Sequence, residues 1–86
     1  MYSIVLTSQA MKDAKNIEKS YLFNKAKELL EIIKIDPFKY PPRYEFLVAL
    51  GKDIISRRIN KQHRLVYQVL EKEKIIKILR MWTHYE

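Results

Sequence analysis

The chain contains no cysteine, which excludes disulfides and thiolate metal sites and fits a reducing compartment. It has one glycine among 86 residues, while 48% of the residues are hydrophobic, so it reads as a folded chain rather than a disordered tail. No long apolar run is present. The N-terminal YSIVL stretch is far too short for a signal sequence or a membrane span, and a soluble cytoplasmic protein that does not engage membranes is expected. All three prolines fall between Asp36 and Tyr44, and no acidic residue occurs from Ile54 to Leu70. No internal repeat or low-complexity segment is visible.

What is present is positive charge, unevenly placed. The formal charge is +7, of which residues 43–86 contribute +5 and hold all five arginines. Arginine's planar fork binds phosphate bidentately and stacks on bases, so the asymmetry points to a polyanionic partner. The length allows one small domain, residues 1–86, with a single core.

Tyr2–Leu6 reads as a short strand. Ser8 is read as the cap of a helix carrying Ala10, Met11, Ala14 and Ile17, and Ser20 as the cap of a second carrying Phe23, Ala26, Leu29, Leu30 and Ile33. Asp36-Pro37 ends the second helix. A loop from Asp36 to Tyr44, rich in proline and aromatics, follows. Three strands are then expected at about Ile54–Asn60, Arg64–Leu70 and Lys74–Trp82, joined by hairpins at Lys61-Gln62-His63 and Glu71-Lys72-Glu73. The fold class is α+β: two N-terminal helices covering one face of a mostly antiparallel four- to five-stranded sheet, the other face partly open.

Period-two spacing puts Arg58 with Ile54 and Ser56, and Arg57 with Ile55 and Ile59. Arg64, Val66 and Gln68 share one side of the next strand, opposite Leu65, Tyr67 and Val69. In the last strand Ile76, Ile78, Arg80 and Trp82 oppose Ile75, Leu79 and Met81. Neither side is purely apolar, and spacing alone does not say which meets the helices. The cationic ribbon of Arg57, Arg58, Lys61, His63 and Arg64, in one chain with a His84-Tyr85 pair able to move protons and stack on a base, suits a phosphodiester ligand. RNA cleavage is the chemistry it favours.

Five motifs carry a resemblance: Asp36-Pro37-Phe38, Glu45-Phe46-Leu47, Ser56-Arg57-Arg58-Ile59, His63-Arg64-Leu65-Val66-Tyr67 and the terminal His84-Tyr85. Their order and spacing resemble the YoeB/Txe branch of the RelE/ParE toxin superfamily. The resemblance implies a RelE-like fold similar to microbial ribonucleases, and a type II toxin that cuts messenger RNA in the ribosomal A site. It implies the 70S ribosome, messenger RNA and a small acidic antitoxin of YefM/Axe type as partners, with a homodimer possible and no cofactor or metal. Carried onto this chain, the general base is Glu45, the phosphate-binding arginine Arg64, the general acid His84 and its neighbour Tyr85. Arg57, Arg58, Lys61, His63 and Lys52 are the further candidates for RNA or phosphate contact.

Many relatives have a lysine where this chain has Val48; Lys52 or Arg43 is available to supply that charge, and Glu86 extends past the usual terminal tyrosine. RNA carries its own nucleophile, the 2′-hydroxyl, so a base, an acid and a charge clamp suffice. The alternatives are a gyrase-inhibiting toxin of ParE type and an RNA-binding module without chemistry on the same scaffold.

Overall fold

The computed structural model describes residues 1–82. Its elements are β1 (Ser3–Leu6), α1 (Ser8–Glu18), α2 (Phe23–Ile35), β2 (Tyr44–Phe46), a 3-10 turn (Val48–Leu50), β3 (Ile54–Arg58), β4 (Arg64–Leu70) and β5 (Ile75–Arg80). The sheet order is β1-β5-β4-β3-β2, antiparallel throughout except for the parallel β1–β5 pair. The expected two helices on a mostly antiparallel five-stranded sheet are present, and β2, which pairs Glu45 with Ser56, is an edge strand that periodicity did not resolve. No helix among the described residues is long and apolar enough to cross a membrane.

The first helix is capped by Thr7 rather than by Ser8: the Thr7 hydroxyl accepts from the Ala10 amide at 3.0 Å. Ser20 acts in the turn, donating to the Ile17 carbonyl and accepting from the Leu22 amide; α2 begins at Phe23 without a side-chain cap. Gly51, at φ +141°, has a backbone conformation that side chains rarely adopt, and a Cβ there would press to 3.2 Å from the Ile54 Cδ1.

Ala10, Ile17, Ala26, Leu29 and Ile33 from the helices meet Ile55, Leu65, Tyr67, Val69, Ile76 and Ile78 from the sheet. Residues one apart on a strand take opposite faces, so this packing settles the orientation left open by spacing. The Arg57 side faces the helices; on the other side Ile54, Ser56 and Val66 are buried too, Arg64 is half-buried and Arg58 is exposed. In β5 the core line runs from Ile76 and Ile78 to Met81 rather than to Arg80, because the register against β4 shifts at Val66/Tyr67.

Asp13, on the inward side of α1, ties that helix to the end of β5. Its carboxylate accepts from Arg80 Nε at 2.8 Å, from the Met81 amide at 3.0 Å and from Gln9 at 3.1 Å. Burial alone would push this carboxyl up, but these three donors and the Arg80 charge hold it below its ordinary value of 3.8. A depressed native value contributes stability that is complete above the unfolded value and fades as pH falls through the native one. The urea midpoint difference between wild type and Asp13→Asn is therefore expected to be constant above about pH 5 and to shrink below the ordinary value of 3.8. A difference that grew on acidification would contradict this.

Candidate nucleic-acid interface

Pairing across three strands brings residues of the side away from the helices together. Glu45 on β2 lies opposite Ser56 on β3, which lies opposite Val66 on β4; one step along the same face, Arg58 lies opposite Arg64. Together with Arg43 and Tyr44, the residues Glu45, Ser56, Arg58 and Arg64 line a pocket of about 180 Å³. Glu45 and Arg64, nineteen positions apart in sequence, thus share one concavity. Directly opposed like charges destabilise a sheet, so the Arg58–Arg64 pair favours an anion between or above them. Arg64 is half-buried, and its Nε is a buried donor with no hydrogen-bond partner among the described residues. An unpaired buried donor costs free energy that a ligand oxygen would recover. The arrangement offers one carboxylate beside three guanidinium groups in a solvent-open recess.

Not every expected residue joins this pocket. Arg57 does not: it is 0% exposed, on the inward face, where it hydrogen-bonds to Tyr67 and to three loop carbonyls. The adjacent pair Arg57-Arg58 must split across the sheet, and only Arg58 reaches solvent. Lys52 does not join either. It lies before β3, beside Asp53, Gln68 and Glu71 at a second recess, and its six-residue separation from Arg58 is ~20 Å at a strand's rise. Arg43, not Lys52, brings the additional charge.

Lys61 is exposed in the β3–β4 turn, outside the pocket lining. That turn is organised by Asn60, whose side-chain oxygen accepts from the Gln62 and His63 amides. His63 stacks its ring on Trp82 with centroids 3.9 Å apart and planes 16° apart. His84 and Tyr85 lie outside the described residues, as does Glu86. Spacing did not single out Ser56 or Tyr44 as pocket residues; the signal for Arg43 is that it sits two positions from Glu45 on the same strand side. Among the described residues no three His, Cys, Asp or Glu side chains gather as metal ligands would.

Comparison with known families adds a decisive match. The profile of YoeB-like toxins of bacterial type II toxin–antitoxin systems matches residues 7–85. The chain belongs to this family. Among solved structures, the YoeB-family chain superposes on a YoeB/ParE toxin from Agrobacterium tumefaciens with TM-score 0.86 at 25% identity, covering 96% of this chain and 99% of that one. It superposes on the YoeB dimer from Staphylococcus aureus with TM-score 0.83 at 32% identity, covering 98% of each chain. A YoeB–YefM complex from the same organism matches with TM-score 0.79 at 32% identity over 99% of each chain. The toxin chain of an Escherichia coli DinJ–YafQ complex, 22% identical with TM-score 0.82 over 98% of this chain and 94% of that one, shares the fold. No match was found among curated proteins. This YoeB-family chain is therefore the toxin of a type II toxin–antitoxin system.

Proposed function

We propose that this toxin is a metal-independent endoribonuclease that cuts messenger RNA in the ribosomal A site by attack of the RNA's own 2′-hydroxyl. The observation that carries this reading is the single pocket uniting Glu45 with Arg43, Arg58 and Arg64. Glu45 accepts the proton from the 2′-hydroxyl as its oxygen bonds to phosphorus. Arg64, with its unsatisfied Nε, and Arg58 receive the charge that grows on the phosphorane's non-bridging oxygens. His84 protonates the departing 5′-oxygen, with Tyr85 beside it. Trp82, two positions past the end of β5, stacks on His63, the sequence neighbour of Arg64.

Exposed Glu45 and the open recess favour a bound substrate that supplies the closing surface, which suits an enzyme acting on RNA held by the ribosome. The site of action would be the cytoplasm. The partner that silences it would be a small acidic antitoxin: the chain carries +7, and a similar toxin from Staphylococcus aureus forms a complex with YefM. A homodimer, the state in which another structure of that toxin was solved, is the corresponding proposal for self-association.

The reading is tested by expressing wild type and Arg64→Ala in a translation reaction and following messenger cleavage. Arg64→Ala is expected to abolish detectable cutting. It should also flatten the dependence of single-stranded RNA affinity on salt by about 0.7 in the log–log slope, the loss of one phosphate contact. Unchanged cutting and slope would remove Arg64 from the site.

A further inference from the structure

The loop of residues 36–43 lies against the inward side of β3, and a buried cation holds it. Arg57 donates from Nε to the Tyr67 hydroxyl at 2.9 Å, from Nη1 to the Pro42 carbonyl at 2.5 Å, and from Nη2 to the carbonyls of Lys39 at 2.8 Å and Pro37 at 3.2 Å. Tyr67 in turn donates to the Pro37 carbonyl at 2.7 Å, and the guanidinium carbon sits 4.7 Å from the centre of the Tyr44 ring. Among the described residues no carboxylate is paired with Arg57. A buried charge compensated only by neutral acceptors is an expensive way to stabilise a fold, and an apolar side chain of similar volume would serve packing as well. The contacts therefore have another use.

That use is visible in where they fall. Pro42 and Tyr44, both held by Arg57, flank Arg43, and the residue after Tyr44 is Glu45. The loop's own side-chain and turn bonds are few, Phe38 and Lys39 amides to Asp36 being two of them. β2 itself is three residues long at a sheet edge. The ladder to β3 and the ring contacts of Tyr44 with Tyr40 and Phe46 also hold this backbone, from which Arg43 and Glu45 reach the pocket. We infer that Arg57, with Tyr67, is a positioning residue for the cleavage site: from the inward face it clamps the strand start that aims Glu45 and Arg43 outward. This inference rests on the ribonuclease reading for its catalytic consequence, though not for the clamp. A lysine cannot replace the planar fork, since its donors radiate from one atom and reach fewer carbonyls.

Two measurements on the full-length protein test it, with Arg57→Lys and the milder Tyr67→Phe, which deletes one hydroxyl. Amide exchange should accelerate across residues 37–46 in both variants while α1, α2 and β5 keep wild-type protection. In cleavage assays the variants should lose about 10²-fold and severalfold in kcat respectively, with KM little changed, as expected of a misaimed group. In a Glu45→Gln background the same substitutions should cost no more than about twofold further, because a misplaced base that is already inactive loses nothing. Wild-type exchange in residues 37–46 would overturn the clamp. Rate losses that add in full to that of Glu45→Gln would overturn its link to the base. If Glu45→Gln alone cut at the wild-type rate, the assignment of Glu45 as the base would fail instead, and the exchange data alone would decide the clamp. Should Arg57→Lys fail to fold, Tyr67→Phe carries both readouts.

Discussion

Replacing Glu45 by glutamine is expected to slow messenger cleavage by about 10²–10⁴-fold, the usual contribution of a positioned general base. Glutamine is nearly isosteric, so the exposed β2 position should tolerate it without loss of fold. RNA affinity should hold or rise, because one negative charge disappears from a recess lined by Arg43, Arg58 and Arg64. The loss therefore belongs in kcat. Single-turnover cleavage of a ribosome-bound messenger at saturating toxin measures it directly. A variant cutting within severalfold of wild type would remove Glu45 from the chemistry.

The second large effect concerns stability. Asp13→Ala should cost about 3 kcal/mol, the low end for breaking a buried ion pair, because Arg80 keeps 29% of its side chain exposed and can rehydrate. The Met81 amide has no such escape and is left buried without its acceptor. In a domain this small the melting temperature should fall by roughly 10–20 °C. Asp13→Asn, which keeps an oxygen for the Met81 amide, should lose less than half as much. Equal losses for the two variants would mean that charge, not the amide contact, dominates.

Much of this architecture was legible from residue spacing. The helices follow from apolar stripes, and β4 runs over the span expected from its alternation, because long periodic segments report burial directly. β2 escaped for a physical reason: it is three residues long and adjoins a proline-rich loop whose turn signals dominate the window. The inward side of β3 escaped as well. Arginine on a strand ordinarily marks solvent, and nothing local reveals that Pro37, Lys39 and Pro42, fifteen to twenty positions away, supply the carbonyls that make Arg57 an interior residue.

The same contrast holds at the pocket. Glu45, Arg58 and Arg64 were identifiable through motif resemblance, and strand pairing puts them side by side. Lys52 looked equivalent to Arg43 because both are near Glu45 in sequence; the turn at Lys52-Asp53, where Asp53 takes a positive φ of 56°, sends Lys52 to the opposite end of β3. Met81 replaced Arg80 in the core line through a one-residue bulge, which period-two counting does not register.

The chemical identity of the fragment ends tests the central claim most directly. Messenger cut by the purified toxin on ribosomes should carry a 2′,3′-cyclic phosphate, or the 3′-phosphate from its hydrolysis, on the upstream piece and a 5′-hydroxyl on the downstream piece. A 3′-hydroxyl paired with a 5′-phosphate would mean that water, not the ribose, attacked, and would contradict the account.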